Sequence, residues 1–332
     1  MSGTIAIRGD GLAALGCVHL LGQAGFQVRL EGPARPKMPA IMLSGATQKL
    51  LGDVFGGAEL FDGLTPVRRR IVAWGPDAKP AALPHSAVVV SEQELLRRIR
   101  VREMPESTGA PIEWSIVTAR PETQRTEEHH FGSRMARVAA VELKSSAASD
   151  ACWIESLENG WLFLLPAGES AWLLYVGDSV ETLLARSRLI AAQILEAHPR
   201  EGCFASHPRI AESLAGPGWF ACGSAALGFD PLCGEGAGHA IREAILACAG
   251  VRAILAGAAV NAVQAHYRNR LVAGFHRHLK ICEDFYRSGG PGPWWQEQVA
   301  ATRRGIDWCE SLNFAAARSE YRLNGFSLEA VS

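Results

Sequence analysis

The first 31 residues pass through three hydrophobic patterns in turn. Thr4–Arg8 is a short β-type run that stops at Gly9. Apolar residues then recur at helical spacing from Leu12 to about Gln23, and Gly25 turns the chain into a second β-run over Gln27–Glu31. A strand, a glycine turn, a helix and a second strand within about 30 residues predict the βαβ opening of a dinucleotide-binding fold.

Beyond it, Pro33, Pro36 and Pro39 mark a loop, and Gln48–Phe55 reads as a short helix. β-type runs follow at Val67–Trp74 and Ala87–Val90. Ser91, with Glu94 three residues on, forms a capping box that opens a helix running to about Arg102. Short runs at Pro111–Ala119, Ala136–Leu143, Trp161–Leu165 and Ala171–Val176 predict an antiparallel sheet inserted into the nucleotide-binding part. Asp178 and Glu181 predict another helix, with Leu183, Leu184, Ile190, Ile194 and Leu195 as its apolar stripe. Trp219–Cys222 reads as a strand, and the last third as helical, with Leu271, Phe275, Leu279, Cys282 and Tyr286 on one face.

Composition narrows the function classes. The 332 residues are 48% hydrophobic, enough for one large domain or two interleaved ones, and the net charge of −1 offers no basic field for nucleic acid or anionic membrane. The local basic runs at 68–70 and 97–102 read as solvated faces, with Arg69 on the opposite strand face from Arg68 and Arg70. Eight cysteines without a CxxC pair argue against a disulfide framework and for a cytoplasmic location. The N-terminus lacks a signal-peptide layout, and His239, Arg242, Glu243 and Arg252 interrupt the longest apolar segment, so no membrane span is expected. Neither His129 and His130 nor His276 and His278 have metal-ligand spacing, and no metal is expected.

The candidate chemistry is concentrated in glycines. Gly9-Asp10-Gly11-Leu12-Ala13-Ala14 is a GxGxxA form of the dinucleotide fingerprint. Its first glycine permits the tight turn, its second lets a pyrophosphate approach the backbone, and Ala14 lets helix and strand pack closely. Glu31, about 20 residues after Gly11, stands where a carboxylate accepts hydrogen bonds from ribose hydroxyls, which favours FAD or NAD over NADP. A second glycine-rich junction, GSAALGFDPLCGEGAGHAIREA over 223–244, leads into a helix with Ile241, Ala244, Ile245 and Cys248 on its apolar face. Two such junctions imply a cofactor that needs two anchoring points.

Gly223-Ser224-Ala225-Ala226 followed by Pro231, Gly234, Gly236 and Ala240 resembles the glycine–aspartate motif of FAD-dependent aromatic monooxygenases and flavin-dependent halogenases. Asp230-Pro231-Leu232 resembles the halogenase-like branch, which includes flavoproteins that modify peptidyl tryptophan. The stretch GWLFLLP at 160–166 is similar to the WxWxIP stretch of that superfamily, and Tyr286 and Tyr321-Arg322-Leu323 are similar to its helical tail.

The resemblance implies an α/β (α+β) fold: a Rossmann-like FAD-binding domain over 1–60, 91–135 and 203–257, an inserted antiparallel β-sheet substrate domain over 61–90 and 136–202, and a helical C-terminus over 258–332. By the same resemblance Gly9, Gly11 and Ala14 flank the FAD pyrophosphate, Glu31 holds the adenosine ribose and Ser224 faces the ribityl chain. Pro231, Gly234 and Gly236 border the flavin ring, and Leu12, Ala13, Gly223, Asp230, Glu235 and Ala237 complete the cofactor set.

This sequence departs from the family pattern at chosen points. Ser224 replaces the usual Asp, and Glu92 stands where an Arg usually serves the adenosine-phosphate side. Only His130-Phe131-Gly132-Ser133-Arg134 remains of the Asp-Gly motif that serves FAD and NADPH in aromatic hydroxylases. For halogenation, Pro66 occupies the place of the required Lys, Cys233 that of the Glu after Asp-Pro-Leu, and Glu235 that of a halide-binding hydroxyl residue. The resemblance therefore implies an FAD-dependent monooxygenase-type oxidoreductase acting on an aromatic or amino-acid-derived group, free or carried on a peptide, and disfavours a halogenase. NAD(P)H or a separate flavin reductase would supply electrons. An FAD-linked dehydrogenase or reductase, and a flavin-binding maturation or interaction protein with little turnover, stay open as alternatives.

Overall fold

Ile5 and Ile7 are fully buried in the central strand of the first sheet, Thr4–Arg8. The computed structural model describes residues 4–32, 35–99, 111–120, 127–168, 170–200, 202–312 and 320–331. Thr4–Arg8 pairs in parallel with Gln27–Glu31 on one side and Ile112–Val117 on the other. Trp219–Ala221 extends the sheet in parallel, and Ala215–Gly216 closes it as an antiparallel edge, giving five strands. Helix α1 (Leu12–Gln23) crosses from the first strand to the second. The expected βαβ opening is thus present, and its strand bounds match those read from the sequence; Ile112–Val117, expected in the inserted antiparallel sheet, is instead a parallel strand of this one, because its backbone pairs with Thr4–Arg8.

The second sheet has nine strands. Its order runs Ile194–Pro199, Met135–Leu143, Ser170–Gly177, Gly160–Ala167, Ala151–Leu157, Thr65–Ala73, Ala81–Val90 and Ile41–Ser44, and Phe204–Ala205 also pairs with Met135–Leu143. These pairs are antiparallel except Thr65–Ala73 with Ala151–Leu157, which is parallel. The edge strand Ile41–Ser44 belongs to this sheet although it precedes the inserted segments in the chain. The central strand Gly160–Ala167 is buried on both faces, which explains the unbroken apolar run WLFLLP. Trp161, Phe163 and Leu165 join one core with Tyr286 and Trp295, while Leu162 and Leu164 join another with Trp153 and Leu173.

Helix α2 (Gly45–Phe55) starts three residues earlier than expected, capped by Ser44. In α3 (Glu92–Arg98), Ser91 Oγ accepts the Glu94 N–H at 3.1 Å, as the capping box predicts; the expected end at Arg102 lies outside the described residues, as do residues 100–102 of the basic run. Helix α4 (Val180–Arg186) is capped by Ser179 rather than opened by Asp178. It also ends well before the expected stripe does: Ile194 begins a strand, and Leu195 is 68% exposed. The cause is Glu155, a buried carboxylate that accepts the Ser187 hydroxyl and the N–H groups of Arg188, Leu189 and Ile190, forcing a turn where helix would continue. A register shift between Val67 and Arg69 breaks the alternation expected of the arginine run, leaving Arg70 half-buried beside His85.

The long helices are α5 (Gly236–Leu255), α6 (Val260–Gly289) and α7 (Pro293–Ser311). Helix α5 lies against α1, where a Cβ on Gly16 would stand 3.2 Å from Ile241. The C-terminal region is not helical throughout: Tyr321–Asn324 and Ser327–Ala330 form a hairpin. Among the described residues, no helix is long and apolar enough to cross a membrane.

Candidate functional site

The two glycine junctions meet at one cavity. Gly9 has φ +141°, and a Cβ there would stand 2.1 Å from Thr118 Oγ1, so only glycine fits the turn out of the first strand. Its N–H donates to the Glu31 carbonyl at 2.7 Å, and the Thr118 hydroxyl donates to the Arg8 carbonyl at 3.1 Å. Gly223, with φ +57°, packs its open side against this turn; a Cβ there would meet Ala13 at 3.0 Å and the Thr118 carbonyl at 3.1 Å.

Helices α1 and α5 both start without a side-chain cap, at Gly11 and Glu235, and both starts open into the same space. Unpaired N–H groups and the positive ends of two helix dipoles there suit an anionic group. The cavity measures about 470 Å³, and Gly11, Leu12, Ala13, Gly223, Ser224, Gly236 and Ala237 all line it. A second, apolar cavity of about 230 Å³ adjoins it through Ile41, Phe204, Phe229, Gly236 and Ala237. Pro231 and Gly234 border this second space, whose far wall is Phe163, Leu165, Trp172 and Leu174 from the nine-stranded sheet.

The other residues singled out in the sequence lie off these walls or turn from them. Gly9 and the fully buried Ala14 support the first turn from beneath. Glu31 is engaged by Arg29, 2.5 Å from Oε1, and by Arg8, 3.4 Å from Oε2. Glu235 lies 3.5 Å from the Thr47 hydroxyl and 3.9 Å from Arg242. Asp230 lines the apolar cavity, but its carboxylate is turned into the protein. Oδ2 accepts Arg134 at 3.0 Å and Tyr286 at 2.6 Å, and Oδ1 accepts the Leu232 N–H at 2.9 Å. Arg134 also sits over the Tyr286 ring at 4.4 Å.

Three charged residues of the site escaped the sequence reading. Arg35 donates to Glu92 across the mouth of the larger cavity, with Nη1 3.1 Å from Oε2, and a Cβ on Gly11 would stand 2.8 Å from Arg35 Nη2. Asp10 holds the same arginine through its backbone N–H at 2.7 Å and also accepts Lys37. Burial alone would raise the Asp10 carboxyl, but hydrogen bonds from Lys37 and Arg35 outweigh it and hold the group below its ordinary value. Glu92, 6% exposed, is thus not a lost cation but the seat for one supplied by another segment.

The other two stand beside Ser224. Glu243 of α5 accepts the Gly223 N–H at 2.7 Å and lines the larger cavity. Burial pushes its carboxyl up to about 8, against the opposing pull of the Gly223 N–H and Arg209. Arg209 is buried between Glu128 and the Ser224 carbonyl, 2.7 Å from each. A buried carboxyl therefore stands near Ser224. The sequence signal was faint: Glu243 was visible only as an interruption of an apolar helix.

The fold also gathers Cys233, His278 and Cys282, whose side-chain donor atoms lie within 4.8 Å of one another. His278 and Cys282 are four apart on α6, a spacing that shares one helix face, but Cys233 arrives from a distant loop.

No protein-family model matches this chain, and no curated protein does. Solved structures do. The peptidyl tryptophan dihydroxylase QhpG, essential for tryptophylquinone cofactor biogenesis, is 20% identical over 90% of this chain and 79% of its own, with a TM-score of 0.68. CmlS, a flavin-dependent halogenase, is 16% identical over 99% and 84%, with a TM-score of 0.77. Klebsiella pneumoniae HpxO, solved with FAD and uric acid, is 16% identical over 94% and 97%, with a TM-score of 0.64. The chain thus has the fold shared by flavin-dependent halogenases and monooxygenases.

Proposed function

We propose that this protein is an FAD-dependent monooxygenase-type oxidoreductase whose substrate presents an aromatic or amino-acid-derived group, free or carried on a peptide. The carrying observation is the apolar cavity that adjoins the glycine-lined one, with which it shares five lining residues. A buried apolar cavity of roughly 150 Å³ accepts benzene, so about 230 Å³ walled by Phe163, Leu165, Trp172 and Leu174 suits a larger ring system.

The residues fit FAD. Gly11, Leu12 and Ala13 at the start of α1, with Arg35 above them, would hold the pyrophosphate. Glu31 would face the adenosine ribose once Arg8 and Arg29 share it, and Ser224 and Glu243 would hydrogen-bond the ribityl chain. Pro231, Gly234, Gly236 and Ala237 would border the ring, with the start of α5 favouring negative charge there. Bound FAD supplies the two-electron and oxygen chemistry; NAD(P)H or a separate flavin reductase supplies the electrons. The protein's own part would be to hold the pyrophosphate at the start of α1, to border the ring at the start of α5 and to exclude water on the substrate side.

QhpG, a peptidyl tryptophan dihydroxylase, supports a peptide-borne aromatic substrate, and HpxO supports a small heterocycle. Halogenation is disfavoured: the Glu235 carboxylate would repel a halide at the start of α5, and Pro66 is an exposed strand residue where a lysine is needed.

The test is direct. Purified protein should take up FAD with a flavin spectrum and, when supplied with reduced flavin, place an atom of ¹⁸O₂ into an indole-bearing peptide or a free aromatic amine. Failure to bind FAD defeats the whole reading. FAD binding with substrate oxidation but no label transfer makes the protein a dehydrogenase instead.

A further inference from the structure

Cys233 ends the short 3-10 turn Pro231–Cys233, and the turn's flanking Gly234 walls the apolar cavity. Its Sγ lies 3.8 Å from Sγ of Cys282, a fully buried residue of α6. Cys282 Sγ in turn lies 3.3 Å from His278 Nε2, which accepts the Asp230 N–H at 2.9 Å. The two thiols thus differ in access: Cys233 is half-buried on a loop, and Cys282 is held from behind by a helix.

We propose that Cys233 and Cys282 form a redox-active dithiol that closes to a disulfide on two-electron oxidation by a peroxide. The proposal stands on the geometry of the pair and needs no bound flavin.

Cys233 is the attacking sulfur because it is the accessible one. The Cys282 S–H beside it favours its thiolate, and although burial opposes this, His278 adds to it, bringing Cys233 down to about 6. In the first step the Cys233 thiolate attacks hydrogen peroxide; an S–O bond forms, the O–O bond breaks, and hydroxide leaves to take up a proton as water. In the second step Cys282 Sγ attacks the Cys233 sulfur, the S–S bond forms, and the departing hydroxide takes the Cys282 proton as a second water. Two thiols and one peroxide become one disulfide and two waters.

A metal ion is the competing use of this cluster. The His278 lone pair already accepts the Asp230 N–H, so a metal at Nε2 would strand a buried donor. The disulfide leaves that bond in place. It requires the sulfurs to approach from 3.8 Å to about 2.05 Å. Because Cys282 is fixed in the core, the movement falls on Cys233 and pulls Gly234, and with it a wall of the apolar cavity, toward α6.

The experiment uses the full chain carrying Cys203→Ser, which removes the exposed thiol. The reduced protein is treated with one equivalent of hydrogen peroxide, denatured, alkylated and mapped by mass spectrometry. Two thiols should be lost together, in a cross-linked pair of peptides containing Cys233 and Cys282 and lighter by two hydrogens, and dithiothreitol should restore both. Cys233→Ser should slow the loss of thiol about tenfold or more. Recovery of Cys233 and Cys282 as alkylated thiols, or loss of a different pair, overturns the proposal. So does stoichiometric zinc in the purified protein that is released only when these thiols are blocked. The mapping of the chain with both cysteines intact decides the matter even if a variant fails to fold.

Discussion

Arg35 and Glu92, 57 residues apart in the chain, form an ion pair that lies over Gly11. The family resemblance in the sequence implies an arginine at the start of the helix that Glu92 opens; here that position carries the opposite charge, and the cation comes from the loop after the second strand. The pair reverses which segment carries the charge while keeping a guanidinium at the mouth of the cavity. Arg35→Ala is expected to weaken FAD binding about tenfold, equivalent to ~1.4 kcal/mol. Glu92→Gln should retain most of the affinity, because the cation remains. Titration of apo-protein with FAD, followed by flavin fluorescence, separates the two.

Gly9→Ala should be among the most damaging single-methyl changes in the chain. The added carbon would collide with Thr118 Oγ1 in a backbone conformation that alanine rarely adopts. A loss of about 1–3 kcal/mol is expected from the strain, together with loss of flavin retention. Thermal unfolding with and without FAD measures both effects.

Glu243 gives the fold a defined pH dependence. Its carboxyl is raised from 4.5 to about 8 by burial, so between those values the folded chain binds a proton that the unfolded chain has released. The contribution to stability is therefore full below about pH 4.5 and is lost as pH rises through about 8. Glu243→Gln, which needs no proton to stay neutral, should flatten this decline by an amount on the order of a few kcal/mol. Urea denaturation across pH 5 to 9 checks the slope; a steeper decline in the variant contradicts it.

Asp230→Asn should unfold the protein more readily than its polar-for-polar character suggests. Arg134 is buried with its guanidinium on that carboxylate, and removing one charge of a buried pair costs about 3–5 kcal/mol. Tyr286→Phe removes only one hydrogen bond to the same oxygen and should cost about 1 kcal/mol. Chemical denaturation of both variants tests the order.

Leu174→Trp should fill the apolar cavity without touching the glycine-lined one. FAD uptake should be unchanged, while binding of an aromatic substrate falls about tenfold or more. Equal losses of both would show that the two cavities do not have separate tenants.

The parts that were legible in the sequence are those that depend on backbone rather than on partners. Gly9, Gly223 and Gly234 announced turns because their backbones adopt positive φ, and Gly11 and Gly236 marked bare helix starts. The βαβ opening followed from the first of them, whereas Ile112–Val117, read as part of the inserted antiparallel sheet, pairs in parallel within the five-stranded one. What escaped depended on contacts across the chain. Ile190 and Ile194 have helical spacing after Leu183, and nothing local reveals that Glu155 will take the N–H groups of residues 188–190 and stop the helix. Glu92 and Ser224 read as losses because Arg35 and Glu243, which stand beside them, lie in other segments. Asp230 read as a cofactor contact, yet its oxygens serve Arg134 and Tyr286, a pairing no spacing rule foretells.

The parallel pairing of Trp219–Ala221 with Ile112–Val117 has a consequence for how the chain is made. The whole run of strands from Met135 to Pro199 lies between these two partners, and Ile41–Ser44 and Thr65–Ala73 of the nine-stranded sheet precede both. During synthesis the first sheet must wait, with one edge open, until about two-thirds of the chain has left the ribosome, while the second sheet completes in the interval. Contacts this distant in sequence slow folding. The interleaving also means that neither sheet can be excised as a free-standing unit, so heat should melt the two together in a single cooperative transition.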